Sequence, residues 1–326
     1  MREMKNELLY LSRADVEAVG LSMPEILAAL EEMFREKGAG RVEMPPKPGI
    51  HPAPDAFLHA MPAWIPSLGA AGIKWVSGFP DNVRRGLPYI SGLLVLNDPE
   101  TGFPTAVLDA TWITAMRTGA ATAVAAKVLA RPDSASVGIV ACGVQGRSNL
   151  EALAGSFPVR EVRAYDLDAS VAERFAAEMG ERLDLTIEVV PTARRAVEES
   201  ELVVTSGPIL KEPTPTIEAG WLQPGSFASA VDFDSYFTGD ALRAVDRLVT
   251  DDLPQFAHYR SIGYFAATPD PDAELGDILC GRAPGREEAA EVTLAMNLGI
   301  GLEDMATAVR LVERARERGI GTTLSL

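Results

Sequence analysis

The second half of the chain alternates short apolar runs with segments of helical periodicity. The apolar runs span 137–141, 162–165, 187–190, 202–205 and 227–231. Runs of this length that alternate with helices are typical of strands in a parallel sheet with helices on both faces. The pattern therefore predicts an α/β fold with a doubly wound parallel sheet.

The first half of the chain follows a different pattern. A short apolar strand over 8–11 precedes a helix that begins with a capping box at Ser22–Glu25 and ends at Gly38. Four strand-like runs then follow one another without intervening helices: 56–61, 72–77, 92–97 and 105–109. This succession predicts an antiparallel or mixed sheet.

Two further helices are predicted, one before and one after the alternating region. An alanine-rich helix covers 111–130 and ends at Arg131-Pro132, and the last helix follows Gly301. The last helix has one apolar face, which we expect to pack back on the first half. Two domains also suit a chain of 326 residues.

Composition narrows the class of protein. The net charge of −16 argues against nucleic acid as a partner, because phosphate binding needs clustered Lys and Arg. The sequence has neither an apolar signal segment nor an uncharged apolar run long enough to span a bilayer, so we expect a cytoplasmic protein without a membrane partner. Cys142 and Cys280 lack the spacing of a disulfide framework or a metal site, which favours reduced thiols and no metal.

A glycine-rich turn follows the first apolar run of the second half. In VGIVACGVQGRSN, residues 137–149, a strand leads into a helix, and Ala141, Gly143 and Gly146 occupy the positions of a G-x-G-x-x-G motif. The second glycine lets the backbone approach a pyrophosphate and the third lets the helix pack on the strand, whereas the first only eases the turn. The turn therefore predicts a dinucleotide site at a helix N-terminus.

Asp166 indicates which dinucleotide binds. It follows the next strand, where a carboxylate accepts hydrogen bonds from the adenosine ribose and repels a 2′-phosphate. NAD(H) is therefore favoured over NADP(H), with Val144 and Gln145 as further cofactor contacts. On the motif alone two alternatives stay open: an ordinary turn, and a methyltransferase that binds S-adenosylmethionine. The methyltransferase normally has an acidic residue before the first glycine, whereas 137–140 is apolar.

Two cations interrupt apolar segments outside this turn. Lys74 lies in a strand-like run, and Arg117 lies in the alanine-rich helix. Each has an ordinary structural interpretation when taken alone. Lys74 would extend to solvent along its aliphatic stem, and Arg117 would form a salt bridge on its helix.

A resemblance changes this interpretation. The strings MPAW, GIKWVSGFP, GLPYISGLLVLNDPETGFPTAVLDATWITAMRTGAATAVAAKVLA, IVACGVQGR and LGDILCGRAPGR occur in this order and together resemble the ornithine cyclodeaminase/μ-crystallin family over nearly the whole chain. The resemblance implies a Rossmann domain for NAD(H) at 129–302 and a smaller α+β domain for substrate binding and dimerisation at 1–128 with 303–326. It also implies a homodimer and hydride transfer at the α-carbon of an amino or imino acid.

The resemblance further implies that Lys74 and Arg117 hold the substrate carboxylate. A point-like ammonium and a forked guanidinium both suit that role. Another arginine of the family is replaced here by Lys47, and Arg41 is an alternative to it. This departure weakens any prediction of the carboxylate geometry.

The family's acid/base residue falls on Asp234, with Asp232 two positions before it. Along an extended chain the two side chains would point to the same side. Without the resemblance, aspartates at a strand end are more simply explained as a helix N-cap or a solvated loop. The sequence after Asp234, Ser235-Tyr236-Phe237, departs from the family pattern, and whether Asp232 or Asp234 acts stays open.

Other positions acquire roles from the resemblance alone. Tyr89 and Met61 are expected to contact the substrate. The residues expected near the cofactor are Thr118, Gly119, Thr122, Thr205, Ser206 and Asn297. None of the three histidines is predicted to be catalytic. His51 and His258 lie in loop-like sequence, and His59 is interpreted as a structural residue near the pocket.

The resemblance implies an NAD(H)-dependent amino-acid or imino-acid enzyme of the ornithine cyclodeaminase type, with conversion of L-ornithine to L-proline and ammonia as its first candidate reaction. Lys74 and Asp234 are its predicted catalytic residues. One alternative is an alanine dehydrogenase or a reductase of imino acids such as pyrroline-2-carboxylate, which would use the same residues for a single hydride transfer. A second alternative is a non-catalytic NAD(P)H-binding protein of the μ-crystallin type.

Overall fold

The computed structural model describes residues 6–326. Its strands are β1 (Glu7–Leu11), β2 (Gly49–Ala53), β3 (Ala56–Ile65), β4 (Ala70–Gly78), β5 (Ile90–Asn97), β6 (Pro104–Asp109), β7 (Ser136–Val140), β8 (Glu161–Tyr165), β9 (Ile187–Val189), β10 (Leu202–Thr205), β11 (Phe227–Ala230), β12 (Arg247–Thr250), β13 (Ala273–Glu274), β14 (Thr293–Met296) and β15 (Thr322–Ser325). Its α-helices are α1 (Arg13–Val19), α2 (Met23–Gly38), α3 (Thr111–Leu129), α4 (Val144–Ala154), α5 (Ala169–Leu183), α6 (Ala193–Glu198), α7 (Gly239–Arg243), α8 (Leu253–Ser261), α9 (Leu275–Leu279) and α10 (Gly301–Arg318).

The chain divides into two compact units. The residues up to Arg117 together with Ile300–Leu326 form the first, here called the mixed-sheet unit, and Thr118–Gly299 form the second, here called the parallel-sheet unit. The sequence analysis placed these divisions after 128 and after 302. The first division falls within the continuous helix α3, so no linker composition marks it in the sequence.

The mixed-sheet unit contains a seven-stranded sheet in the order β15-β1-β6-β5-β4-β3-β2. Its strand pairs are antiparallel except β1 with β6. This confirms the predicted mixed sheet. The two edge strands, β2 and β15, were not predicted, because neither contains a run of alternating apolar residues.

The two faces of this sheet differ in their surroundings. On β3 and β4, Met61 lies directly opposite Lys74, on the face that α10 covers. The opposite face presents Trp64, Trp75 and Leu93, whose exposed fractions are 41%, 43% and 50%. One face therefore builds the core of the unit, and the other leaves a large apolar surface in the single chain.

Capping boxes start both N-terminal helices. Helix α2 begins as predicted, with Glu25 accepting a 3.0 Å hydrogen bond from Ser22 N. Glu25 also pairs with Arg314 of α10, and this contact is the largest cause of the lowering of the Glu25 pKa to about 2. Helix α1 was missed, although Ser12 and Asp15 form the same reciprocal cap.

The parallel-sheet unit contains an eight-stranded sheet in the order β13-β12-β14-β11-β10-β7-β8-β9. All of its pairs are parallel, which confirms the predicted doubly wound sheet. The glycine turn follows β7, which lies between β10 and β8 inside the sheet. Strands β12, β13 and β14 were not predicted, and each has only two to four residues.

Within residues 6–326, none of the helices combines the length and the apolar character that a membrane span requires.

Candidate functional site

The mixed-sheet unit encloses four charged side chains, Lys74, Arg117, Glu303 and Asp304, here called the ionic cluster. Lys74 Nζ lies 2.6 Å from Asp304 Oδ2. Arg117 Nη1 lies 2.6 Å from Glu303 Oε2, and its Nε lies 3.2 Å from Asp304 Oδ1. Asp304 therefore bridges the two cations that the sequence singled out.

The cluster corrects the ordinary interpretation of both cations. Lys74 does not reach solvent, since its side chain is fully buried on β4. Arg117 pairs with a distant helix rather than with its own. Thr114 lies one turn before it on α3 and places its Oγ1 3.3 Å from Lys74 Nζ.

Sequence reasoning missed the two carboxylates of the cluster. Glu303 and Asp304 occupy the first turn of α10, where acidic residues commonly complement the helix dipole at the surface. Here both are fully buried. One feature of the sequence indicated their burial: they lie beside the apolar face of the last helix, directly after Gly301-Leu302.

The cluster changes the acidity of Lys74. Burial lowers the pKa of the Lys74 ammonium to about 8, and the nearby charge of Asp304 opposes that effect. Lys74 is therefore mainly a cation at neutral pH, and its pKa lies close enough to neutral pH for proton transfer.

The other predicted substrate-side residues lie in different environments. Lys47 is buried in the segment before β2, and Met61 is buried opposite Lys74. Tyr89 is half-buried just before β5. Arg41 lies at the surface with its guanidinium forked onto Glu36 at 2.6 and 2.9 Å, so the structure does not bring it to the ionic cluster.

The histidines are also placed by the structure. His59 is buried and stacks on Phe57 at a ring separation of 4.3 Å, which fits the structural interpretation. The prediction of a loop at His51 was wrong, because this residue lies exposed on strand β2. The prediction of a loop at His258 was wrong, because this residue lies within α8, whose N-cap is Asp252.

The glycine turn of the parallel-sheet unit joins β7 to α4. Ala141 adopts φ +72°, a left-handed conformation that costs an L-residue about 1–2 kcal/mol. A Cβ on Gly146 would lie 2.8 Å from Ala141 O, so only glycine allows this helix to approach this strand. A Cβ on Gly143 would meet no protein atom within 4 Å. A ligand phosphate therefore has open space beside the backbone at Gly143, at the N-terminus of an 11-residue helix.

Asp166 is tied to the same turn. Its Oδ2 accepts a 2.8 Å hydrogen bond from Cys142 N, and its Oδ1 accepts one of 3.1 Å from Asp168 N. Cys142 itself is unsuited to nucleophilic chemistry, because burial and then the charge of Asp166 raise the pKa of its thiol to about 12. Asp166 is thus positioned as a fixed anion at the carboxyl end of β8.

Two predicted cofactor residues, at the end of β10 and directly after it, use their hydroxyls inside the protein. Thr205 Oγ1 donates to Asp232 Oδ1 at 2.7 Å, and Ser206 Oγ donates to Ala141 O at 2.8 Å. Asp232 Oδ2 also accepts from Gly207 N at 2.7 Å. Both hydroxyls are therefore bonded within the protein, that of Thr205 to Asp232 and that of Ser206 to the glycine turn.

Asp232 and Asp234 do not point to the same side, so that prediction was wrong. Phe233 between them adopts φ +62° and inserts its ring against Tyr259 at 4.9 Å, which turns the chain. Asp232 faces β10, whereas Asp234 Oδ2 accepts a 2.9 Å hydrogen bond from Thr268 Oγ1. Burial raises the pKa of both groups, that of Asp232 to about 7.

Asn297 is a buried amide with unmet hydrogen-bonding capacity. It follows β14 and is 5% exposed, and among the described residues neither its Oδ1 nor its Nδ2 has a hydrogen-bond partner. Such a group is costly unless a ligand or water completes it. A nicotinamide carboxamide, which both donates and accepts, fits it. Of the remaining predicted cofactor residues, Val144 is exposed, Gln145 is half-buried and Thr118 is buried.

A glycine turn after the first strand of a doubly wound sheet, followed by a fixed acid after the second, is typical of dinucleotide-binding proteins. The chain belongs to the ornithine cyclodeaminase/mu-crystallin family, whose model matches residues 6–319. The predicted family and fold class are confirmed.

Three relatives show how similar the chain is to proteins of known activity. Alanine dehydrogenase of Archaeoglobus fulgidus is 35% identical over 98% of each chain. The structure of Thermococcus litoralis Δ1-pyrroline-2-carboxylate reductase with NADH and L-proline has a TM-score of 0.88 at 33% identity, and the match covers 96% of this chain and 99% of that one. An archaeal alanine dehydrogenase dimer with bound NAD has a TM-score of 0.87 at 34% identity, covering 98% and 99%.

These relatives refine the functional prediction. Both structures contain the nicotinamide cofactor that the turn and Asp166 predicted. All three relatives are dehydrogenases or reductases, which supports an oxidoreductase and fits the alternative activity better than ornithine cyclodeamination.

Proposed function

We propose that the protein is an NAD(H)-dependent dehydrogenase or imine reductase acting at the α-carbon of a small amino or imino acid. The observation that carries this proposal is the ionic cluster, in which Asp304 holds Lys74 and Arg117 together away from solvent. Buried ion pairs are an inefficient way to stabilise a fold, since apolar replacements are often neutral or stabilising. A pair of buried cations is well suited to binding a carboxylate.

The parallel-sheet unit is proposed to bind NAD(H). Three features support this: the open side of Gly143 at the start of α4, the carboxylate of Asp166, and the incomplete amide of Asn297. When bound, the nicotinamide supplies or accepts a hydride.

Lys74 and Arg117 are proposed to orient the substrate carboxylate, with Lys47 as a third cation. Lys74 lies on β4 and Arg117 on α3, and their carboxylate partners restrict their rotamers. Orientation of this kind is a large part of catalysis, because it removes rotational freedom before the reaction. Arg41 is left out, since it pairs with Glu36 at the surface and the structure does not bring it to the ionic cluster.

Asp234 is proposed as the acid/base. Thr268 donates to its Oδ2 and so fixes the carboxyl group that would carry the proton given to an imine nitrogen or taken from an amine. Burial raises the pKa of Asp234, which favours retention of that proton toward neutral pH. Asp232 is not assigned this role, because internal donors occupy both of its oxygens.

The test is a panel of substrates with the purified protein. NADH would be supplied with Δ1-pyrroline-2-carboxylate or with pyruvate and ammonium, and NAD⁺ with L-alanine or L-proline, while absorbance of NADH is followed. We expect turnover with an imino acid or with pyruvate plus ammonium. Arg117→Met should raise KM strongly, whereas the control Arg282→Met removes an exposed pair with Asp277 and should not.

Other outcomes of the panel would replace the proposal. L-Proline formed from L-ornithine with only catalytic NAD⁺ would establish the cyclodeaminase activity that the sequence analysis put first. NADH binding without turnover of any substrate would favour the non-catalytic binding protein.

We also propose that the chain forms a homodimer through the exposed face of the mixed sheet. Cross-strand pairs place Trp75 beside Leu93 and Ile73 beside Val95 on that face, so its apolar side chains are contiguous. The relative with a TM-score of 0.87 is a dimer. Trp75→Glu should yield a monomer in light scattering, and the control Leu253→Glu, at an exposed apolar position of α8, should not. A wild-type monomer at micromolar concentration would contradict the proposal.

A further inference from the structure

Asp232 is a fully buried carboxylate that accepts hydrogen bonds from the residues on either side of Ser206. Thr205 Oγ1 donates to its Oδ1 and Gly207 N donates to its Oδ2, each at 2.7 Å. The residue between these two donors is Ser206. Asp232 thus fixes Ser206 at the carboxyl end of β10.

Ser206 is in turn bonded to the first residues of the glycine turn. Its N donates to Val140 O at 3.0 Å, and its Oγ donates to Ala141 O at 2.8 Å. On the other side of the turn, Cys142 N donates to Asp166. The left-handed Ala141 is therefore held between two hydrogen-bonded neighbours.

We propose that Asp232 is a positioning residue for NAD(H) and compensates for the alanine at the first position of the glycine motif. Glycine adopts a positive φ freely, whereas alanine tends to leave it. A chain with alanine there keeps the turn in its binding conformation only if neighbouring groups over-determine it. Asp232 does so through Ser206, without contacting the cofactor. This inference rests on the proposed NAD(H) binding.

The primary test is the dissociation constant of NADH, measured through the fluorescence of bound NADH. Asp232→Asn keeps the shape but turns one acceptor into a donor facing Thr205 or Gly207, and it should raise the Kd about tenfold, the effect of losing one charge-assisted hydrogen bond. Thr205→Val removes one of the two bonds and should raise Kd in the same direction. The control Asp272→Asn removes a carboxylate bonded to Leu248 N at the opposite end of the sheet and should leave Kd unchanged.

A double-mutant cycle tests the compensation itself. In a chain with Ala141→Gly, the turn no longer depends on its neighbours to the same degree. Asp232→Asn should therefore raise the NADH Kd only a few-fold in that background. Equal effects of Asp232→Asn in both backgrounds would overturn the compensation.

The pH–rate profile separates positioning from acid/base catalysis. Under the proposal, Asp232→Asn keeps both limbs of the profile and changes mainly KM for the cofactor. If Asp232→Asn leaves the Kd for NADH unchanged but loses one limb of the pH–rate profile, the positioning role is overturned and Asp232 is the acid/base. If Asp232→Asn does not fold, the Kd of Thr205→Val decides in the same way. If the wild-type protein fails to bind NADH, the proposed function fails instead.

Discussion

The glycine turn of the parallel-sheet unit and the ionic cluster of the mixed-sheet unit are assembled from the sequence in different ways. The turn is contiguous, and most of its geometry follows from residues 141–146. The cluster joins positions 74, 117, 303 and 304 through a sheet and two helices. A contiguous turn is specified mainly by local backbone preferences, and here Ala141 also depends on hydrogen bonds from distant residues. A dispersed cluster, by contrast, exists only in the folded unit. We therefore expect substitutions in the ionic cluster to change mainly stability and leave NADH binding intact. We expect the turn to contain positions where NADH binding changes and stability hardly does.

The largest expected effect is at Asp304. Asp304→Ala leaves the fully buried Lys74 without its nearest carboxylate, and loss of one partner of a buried ion pair costs about 3–5 kcal/mol. Urea denaturation measures the loss. The double substitution Lys74→Met with Asp304→Leu should recover most of the stability. It should also retain NADH binding but abolish substrate turnover. A loss below about 1 kcal/mol in Asp304→Ala would show that the cluster is not a structural unit.

Two glycines of the turn should respond differently. Gly146→Ala forces a Cβ to 2.8 Å from Ala141 O and should destabilise the protein by about 1–3 kcal/mol. Gly143→Ala meets no protein atom and has an ordinary φ of −78°, so stability should change by less than about 1 kcal/mol while NADH affinity falls. Thermal unfolding and NADH titration of both variants check this. An unchanged NADH affinity in Gly143→Ala would mean that the space beside Gly143 is not kept for a ligand.

The ionic cluster should also set a pH dependence. The pKa of Lys74 is depressed to about 8, so its ammonium is present below that pH and is lost as pH rises through it. If the ammonium binds the substrate carboxylate, kcat/KM falls above about pH 8, and kcat changes less. Lys74→Arg keeps the charge at all pH values and should remove this limb. A limb that persists in Lys74→Arg would have to come from another group.

The smallest effect is expected at Ala141. Ala141→Gly relieves a strain of about 1–2 kcal/mol but adds freedom to the unfolded chain worth about 0.4–1 kcal/mol, so the net gain should lie between about 0 and 1.6 kcal/mol. Urea denaturation measures the gain. A clear loss of stability would mean that the alanine methyl packs favourably despite its backbone conformation.

The same contrast explains what the sequence predicted. The parallel sheet, the cap at Ser22–Glu25 and the glycine turn depend on short-range patterns, and the structure has them at nearly the predicted positions. Helix α1 carried an equally local signal in Ser12 and Asp15, but its seven residues offer only two buried apolar positions.

The missed parts depend on tertiary contacts. Glu303 and Asp304 look like ordinary first-turn acids, and only the packing of α10 on the sheet shows that they are buried. The separation of Asp232 from Asp234 depends on the Phe233 ring entering the core and forcing a positive φ, which no local pattern announces.

The edges of the mixed sheet have a consequence for how copies of the chain associate. The strand at one edge, β2, contains Pro52, which has no N–H to offer a further strand, and the strand at the other edge, β15, is four exposed residues, TTLS. β15 also covers the more apolar ELLYL of β1. Neither edge suits the addition of a strand from another molecule. If copies of the chain associate through this sheet as proposed, they would do so through its tryptophan-bearing face and not by adding strands at its edges.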